Sequence, residues 1–157
     1  MKGGNPIQFY LIAFLVVLVD QVCKILVRIH IEIDASFSLW GIPMTHIENS
    51  GMAGGLLQGN ARLFGIVAVE FIVAVIYYRR NGLIQGKWFE LGFAFLVGGA
   101  AGNGIDRILF GEVTDFIIRS GNGVLNMADH AIEIGALLLI LGALHQLLNK
   151  ARALFAS

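Results

Sequence analysis

The sequence predicts an all-α membrane protein, with four transmembrane helices and a small extracytoplasmic β-sheet between helices one and two. Of its 157 residues, 57% are hydrophobic and 14% are charged, whereas soluble domains are about 25% charged. Four apolar segments are long enough to form helices, and a polar segment with alternating character separates the first two. The length suits a single integral membrane domain over residues 1–157.

The net charge and the cysteine count also exclude several classes of function. The formal net charge is zero, so nothing indicates a nucleic-acid partner. The chain has one cysteine, Cys23, which excludes an internal disulfide and a cysteine-based metal cluster. We therefore expect a membrane protein with no metal or other cofactor.

Helix one is predicted over about residues 6–26. Pro6 suits a helix start, and an unbroken apolar run follows. We expect this run to be a retained anchor because it lacks a small-residue cleavage site. Asp20 and Lys24 then lie four residues apart on one face, in the favourable order for an ion pair. A simple alternative is that this pair only marks the membrane edge.

The segment over about residues 28–60 is predicted to form the outer β region. Apolar and polar residues alternate over 29–34, a pattern typical of a strand with one apolar face. Trp40 and Gly41 indicate a turn near the membrane interface. A glycine-rich loop at 51–55 can approach a ligand or a helix closely.

The remaining helices are predicted over about residues 61–78, 88–105 and 127–148. Glu70 lies near the middle of helix two, where a carboxyl group is costly in lipid. It is either protonated and hydrogen-bonded to a neighbouring helix, or the carrier of a proton-coupled exporter. Gly98 and Gly102 form a GxxxG motif on helix three, and we expect this small-residue surface to leave room for lipid chains.

The basic residues predict the orientation in the membrane. Six of the eleven Lys and Arg residues fall at the termini or between helices two and three, namely Lys2, Arg79, Arg80, Lys87, Lys150 and Arg152. By the positive-inside rule this side is cytoplasmic. Both termini are therefore expected in the cytoplasm, and the segment between helices three and four at the outer leaflet.

The most polar stretch next to apolar sequence is 98–129, and such polarity is costly unless it has a function. Asp115 follows helix three and Asp129 stands in the first turn of helix four. The segment between them contains turn-forming residues at 120–123, so it can fold back and bring the two carboxylates together.

Simpler interpretations of these residues remain open. Asp115 could be an ordinary loop charge. Asp129 could favour the helix dipole behind an N-cap at Asn126. Asp106 and Arg107 could form an interfacial pair.

Two side chains of helix four complete the sequence predictions. Glu133 stands one turn after Asp129 and is expected to point to water. His145 is expected at the cytoplasmic interface.

A carboxylate pair at a membrane surface can cut a peptide bond. Two carboxylates held close in a low dielectric share one proton. The ionised group takes a proton from water, while the protonated group hydrogen-bonds the scissile carbonyl and helps the amine to leave. This hydrolysis requires neither a metal nor a covalent intermediate.

Five motifs, in order along nearly the whole chain, resemble those of lipoprotein signal peptidase, the type II signal peptidase of bacteria. They are Asp20-Gln21-x-x-Lys24, Asn49-x-Gly51, Gly98-Gly99-Ala100-x-Gly102-Asn103-x-x-Asp106-Arg107, Gly111-x-Val113-x-Asp115-Phe116 and Asn126-x-Ala128-Asp129. The resemblance implies that Asp115 and Asp129 are the catalytic pair of a membrane aspartic endopeptidase. It implies supporting or substrate-binding roles for Asp20, Lys24, Asn49, Gly99, Asn103, Arg107 and Asn126, with Gly99 at a position that tolerates no bulk.

The resemblance also implies partners and a location. Such a peptidase cuts diacylglyceryl-modified prolipoproteins before the lipidated cysteine, works in membrane lipid at the outer leaflet of the bacterial inner membrane, and is the target of globomycin. Two positions depart from the family pattern. Gly54 stands where the family usually has Phe, and Thr114 stands where an apolar residue is common. A homologue that binds lipoproteins without cutting them is therefore a further alternative.

Overall fold

Four long helices and four short strands make up the protein, in a computed structural model that describes residues 6–51, 56–119 and 123–155. In chain order these elements are α1 (Pro6–His30), β1 (Ser36–Leu39), β2 (Ile42–Asn49), α2 (Ala61–Arg80), α3 (Lys87–Leu109), β3 (Val113–Arg119), β4 (Gly123–Leu125) and α4 (Met127–Phe155). Three of the helices, α1, α2 and α4, are long and apolar enough to cross a membrane. The prediction of a mostly helical membrane protein with a small sheet is confirmed.

Helix α3 lies at the centre and packs against the other three helices. A Cβ atom at Gly98 would lie 2.7 Å from Cβ of Val16 on α1, and one at Gly99 would lie 2.5 Å from the Ala128 carbonyl oxygen on α4. The small residues therefore allow close helix packing. The expectation that this surface leaves room for lipid was wrong, because α1 and α4 occupy it.

The helices are longer than predicted. Helix α1 ends at 30 rather than 26, α3 at 109 rather than 105, and α4 at 155 rather than 148. Polar residues mark where an apolar span ends, but they do not stop a helix, since Arg, Lys, Gln and His are tolerated in helix interiors.

The predicted strand over 29–34 was wrong. Helix α1 covers the first two of these residues and ends at His30, and the rest form a turn before β1, in which the Ile31 amide still bonds the Val27 carbonyl at 2.9 Å. Val27 and Ile31 lie four residues apart and both pack against the sheet, next to Met44 and Phe116. Of the three alternating isoleucines only Ile31 packs in this way, since Ile29 is 69% and Ile33 63% exposed. The alternation therefore did not mark the buried face of a strand.

The sheet is antiparallel, with strand order β1-β2-β3-β4. The prediction placed it wholly between helices one and two, but β3 and β4 come from the segment between α3 and α4. Strand β3 pairs with the edge of β2 that would otherwise stay open, and Ile47 lies opposite Asp115. The predicted turn at 120–123 lies largely outside the described residues.

Three further polar side chains that the sequence singled out lie on the surface. Glu70 is exposed on α2, and no described residue pairs with it. The predicted hydrogen bond to a neighbouring helix was therefore wrong. Among the described residues His145 bonds its own helix alone, at Asn149. Glu133 is exposed and paired with Arg119.

Candidate active site

Asp115 is a buried carboxylate on β3, with a side chain that is 4% exposed. Asn49 Nδ2 donates to Asp115 Oδ2 at 3.0 Å, and Asn126 Nδ2 donates to Asp115 Oδ1 at 2.7 Å. Asn49 reaches this carboxylate because it lies two residues beyond Ile47, the register partner of Asp115, and thus on the same sheet face. The interpretation of Asp115 as an ordinary loop charge was wrong.

Asp129 is half-buried in the first turn of α4. Its amide donates to Asn126 Oδ1 at 3.0 Å, and the Asn126 amide donates to Asp129 Oδ2 at 3.1 Å. These reciprocal bonds form a capping box, so the predicted N-cap at Asn126 is confirmed. The other oxygen, Asp129 Oδ1, accepts a bond of 2.8 Å from Asn103 Nδ2.

Asn126 brings the two aspartates into one site, since it bonds Asp115 through its side chain and Asp129 through its backbone and side chain. Its Nδ2 also donates to Asn103 Oδ1 at 3.0 Å. With Asn49, three amides and two carboxylates thus form a connected hydrogen-bond network contributed by β2, α3, β3 and the start of α4.

The environment of Asp115 favours its protonated form. Burial raises the pKa of Asp115 from 3.8 to about 6, and the nearby charge of Asp129 acts in the same direction. Hydrogen bonds from Asn49 and Asn126 stabilise the carboxylate and limit this rise in pKa. The site therefore holds a carboxyl group that can donate a proton near neutral pH.

Arg107 connects this network to the loop after β2. Its Nη2 donates to the Gly51 carbonyl oxygen at 3.2 Å, and its guanidinium lies 5.9 Å from the centre of the Phe64 ring. The negative charges of Asp129 and Asp115 also attract the Arg107 guanidinium. Gly54, the unusual residue of this loop, lies outside the described residues.

A fully buried charge cluster lies behind the network. Lys24 Nζ is 2.8 Å from Asp20 Oδ2 and 2.8 Å from Asp106 Oδ2, and all three side chains are 0% exposed. The alternative of an ion pair at the membrane edge was therefore wrong. The separate alternative of an interfacial pair between Asp106 and Arg107 was also wrong, because Asp106 pairs with Lys24.

Asp20 ties α1 to the start of α4. Its Oδ1 accepts a bond of 2.8 Å from the Ala128 amide, one of the N–H groups that the helix leaves unpaired. Gly102 makes this approach possible, since a Cβ there would lie 2.6 Å from Asp20 Oδ2. Asp20 thereby fixes the position of the turn that carries Asp129.

A second set of polar contacts joins α1 to the other face of the sheet, and sequence reasoning missed it. Arg28 Nε donates to Thr114 Oγ1 at 2.6 Å, and Thr114 donates to Glu48 Oε1 at 2.8 Å. The same Glu48 oxygen lies 2.8 Å from His46 Nε2. Polar residues at both 114 and 115 were the available signal, because adjacent strand residues point to opposite faces.

An apolar cavity of about 410 Å³ opens beside the site, between α2, α3 and α4. Its lining includes Phe64, Phe71, Leu96 and Ile132 together with Asn103 and Arg107. The cavity thus joins polar groups of the network to a surface suited to an apolar segment. Within the described part of the chain, no cluster of His, Cys, Asp or Glu is placed to hold a metal ion.

Comparison with known proteins accords with this geometry. A family model for signal peptidase (SPase) II matches residues 12–145, a range that contains every residue of the network. The chain belongs to the signal peptidase II family. It is therefore a protease, and its apolar helices fit a multi-pass membrane protein.

Individual members of the family are similar over most of their length. A lipoprotein signal peptidase of Staphylococcus aureus is 35% identical, over 89% of this chain and 90% of that protein. One from Gloeobacter violaceus is 37% identical, over 92% of this chain and 85% of that protein. A bacterial membrane enzyme solved by the in meso method has a TM-score of 0.86 and 32% identity, covering 95% of this chain and 94% of that one.

Proposed function

We propose that this signal peptidase removes signal peptides from diacylglyceryl-modified prolipoproteins, using Asp115 and Asp129 as its catalytic pair. The observation that carries this proposal is the position of Asn126, which bonds both carboxylates. A shared neighbour holds the two acids close together at the end of an apolar cavity, as an acid–base pair acting on a membrane-borne peptide requires.

The environments of the two acids suggest their roles. Asp115 is the more deeply buried, and its raised pKa favours the protonated form. Asp129 is only half-buried and accepts bonds from Asn103 and from the Asn126 amide. In the resting pair, the shared proton therefore resides mainly on Asp115.

The reaction then proceeds by proton transfer without a covalent intermediate. Asp129 takes a proton from water as the water oxygen attacks the scissile carbonyl, while Asp115 protonates the carbonyl oxygen. Collapse of the tetrahedral intermediate returns a proton to Asp115 as the C–N bond breaks, and Asp129 gives its proton to the leaving amine. Both acids end in their starting states.

The cavity between α2, α3 and α4 is the proposed seat of the substrate. Its apolar lining suits the hydrophobic segment of a signal peptide, and its polar end, at Asn103 and Arg107, adjoins the acids. The lipid chains on the substrate cysteine would extend from this cavity into the bilayer. A globomycin-type inhibitor would occupy the same place.

We further propose that the chain is one domain with four spans. Helix α3 has 23 residues, which reach about 34 Å and can therefore cross a bilayer. Its glycine-rich surface is shielded by the other helices. The distribution of basic residues supports an orientation with both termini in the cytoplasm and the acids at the outer leaflet of the bacterial inner membrane.

Cleavage of a diacylglyceryl-modified precursor in detergent tests this proposal, using wild type, Asp115→Asn and Asp129→Asn, with and without globomycin. We expect the wild type to cut before the modified cysteine, globomycin to inhibit it, and each variant to be folded but inactive. Full activity in either variant would refute the catalytic pair. A folded wild-type protein that binds the precursor without cutting it would favour the non-cleaving homologue.

The exporter hypothesis predicts that both aspartates tolerate replacement by Asn, so the same variants test it, and Glu70→Gln in this assay tests whether Glu70 has a part in cleavage. Because Glu70 is exposed on α2 and has no partner among the described residues, we expect normal cleavage from this variant. It therefore also serves as the control for the loss of a carboxylate elsewhere in the membrane region.

A further inference from the structure

The turn between β1 and β2 has an unusual residue at its tip. Trp40 has φ +51° and Gly41 has φ +83°, while the flanking residues Leu39 and Ile42 pair with each other. Two-residue turns with both φ values positive favour Asn-Gly and similar pairs, because a bulky side chain is strained there. Strain of this kind is retained where the side chain has a function.

The side chains around this turn are apolar and open. Trp40 is 93% exposed, Leu39 44% and Ile42 50%. Residues 37–44 carry no charged side chain. Turns that face water are usually built from Gly, Asn, Asp, Ser and Pro, so this surface suits a medium other than water.

The tip lies beside a membrane-spanning helix. Leu39 lines an apolar cavity of about 260 Å³ together with Cys23 and Leu26 of α1. Cys23 lies about 10 Å before the end of α1, at ~1.5 Å per residue. The hairpin therefore extends back along the outer end of the span, where Leu26 and Ile29 also expose apolar surface.

We propose that the tip of the β1–β2 hairpin, Leu39 to Ile42, is a lipid anchor that inserts into the interfacial region of the outer leaflet. Trp is the side chain that this region favours, because its ring is apolar and its N–H can meet a headgroup. A lipid surface fits better than a protein partner, since the tip has no charge to recognise and continues the apolar surface of α1.

The anchor has a consequence for the active site. Strand β2 begins at the tip and ends at Asn49, which bonds Asp115. Its Ile47 is the register partner of Asp115 on β3. Insertion of the tip thus holds the sheet, and with it Asp115, at a fixed depth relative to the bilayer. This consequence rests on the proposed function, whereas the insertion itself does not.

Depth-dependent fluorescence quenching tests the insertion. The chain has two tryptophans, so Trp88→Phe leaves Trp40 as the only one. In phosphatidylcholine vesicles we expect blue-shifted emission, strong quenching by lipids brominated near the headgroup end of the acyl chain, and weak quenching by iodide on either side. Strong iodide quenching without bromolipid quenching would overturn the proposal. If neither iodide nor the brominated lipids quenched Trp40, protein would cover the tip, and this result would also overturn the proposal.

Trp40→Asn tests the consequence for cleavage. This substitution creates Asn-Gly, the preferred pair for such a turn, so the thermal unfolding midpoint should not fall. We expect precursor cleavage in bilayers to fall severalfold, cleavage in detergent to stay near the wild-type rate, and Trp40→Phe to retain bilayer activity. Wild-type cleavage by Trp40→Asn in bilayers would refute the control of depth. If the wild type itself failed to cleave, the quenching result would still decide whether the tip inserts.

Discussion

Lys24 Nζ donates a hydrogen bond of 2.9 Å to Asn103 Oδ1, and together with the bond from Asn126 Nδ2 to the same oxygen it orients the Asn103 amide toward Asp129. An ammonium group can only donate, so the amide oxygen must point to Lys24. The amide nitrogen is thereby directed to Asp129 Oδ1, at 2.8 Å. A buried charge on α1 thus orients a donor in the proposed active site.

Replacement of Lys24 by Met should therefore affect both stability and activity. It leaves Asp20 and Asp106 buried without their shared cation, and a broken buried pair costs about 3–5 kcal/mol. We expect a large fall in the free energy of unfolding, measured by denaturation in detergent, and a loss of cleavage.

The double variant Lys24→Met/Asp106→Asn separates orientation from stability. Removing one carboxylate together with the cation restores the charge balance, so part of the unfolding free energy should return. The value of kcat should stay low, because Asn103 Oδ1 then loses its charged donor and keeps only the bond from Asn126 Nδ2. Recovery of kcat together with stability would show that Lys24 has only a structural role.

The pH dependence should follow the proton on Asp115. Its pKa is about 6 in the folded protein, so we expect the cleavage rate to fall as pH rises through about 6 and the acid loses its proton. Asp115→Asn cannot serve as a rate control, since it is expected to be inactive. Glu70→Gln can serve as the control, and its cleavage rate should depend on pH as that of the wild type does.

Stability should change with pH in the same range. The folded pKa of Asp115 lies above the ordinary value of 3.8, so its contribution is fully present below about 4 and is lost as pH rises through about 6. The loss is on the order of 2–3 kcal/mol. The unfolding midpoint of the wild type should fall over this window, and Asp115→Asn should remove that component. Equal slopes in the two proteins would contradict the raised pKa.

Gly99→Ala should force α3 and α4 apart. Its Cβ would lie 2.5 Å from the Ala128 carbonyl oxygen, a backbone atom that cannot rotate away. We expect a destabilisation of about 1–3 kcal/mol and reduced cleavage, because Asp129 follows Ala128 directly. Gly104→Ala is the matched control on the same helix, since its Cβ would meet only the Ala68 methyl group, at 3.2 Å. Similar losses in both variants would argue against a specific α3–α4 effect.

Thr114→Val should show whether the hydroxyl between Arg28 and Glu48 matters. The change keeps the shape of a fully buried side chain but removes both of its hydrogen bonds. Hydrogen bonds to charged groups contribute about 1.5–3 kcal/mol each, so the unfolding midpoint should fall even though Glu48 keeps its contact to His46 and Arg28 its contact to Asp106. Thr114→Ser keeps the hydroxyl and should retain most of the stability. An unchanged midpoint in Thr114→Val would mean that Arg28 and Glu48 bond each other directly.

Glu133→Gln should leave the cleavage profile unchanged. Glu133 is exposed and holds Arg119 through two hydrogen bonds, so its charge is largely screened by water and by its partner. The cleavage rate measured across the pH range tests this. A shift of the profile would show that Glu133 influences the proton of the catalytic pair.

The sequence by itself determined the class of protein and the chemistry available to it. Long apolar runs can only be stable as helices in lipid, so composition and length were sufficient to predict a helical membrane protein. The aspartates at 115 and 129 and the asparagines at 49, 103 and 126 were identified from motif order, since their spacing along the chain did not require them to meet.

Only the tertiary structure decided which partners these residues have. The alternation over 29–34 predicted a strand, but α1 extends to His30 and Ile31 packs with Val27 against the sheet, whereas Ile29 and Ile33 stay exposed. The burial of Lys24 and the pairing of Asp106 depend on close approach of α1 to α3. Periodicity shows which face of a segment is apolar or polar, but what covers that face depends on segments distant in sequence.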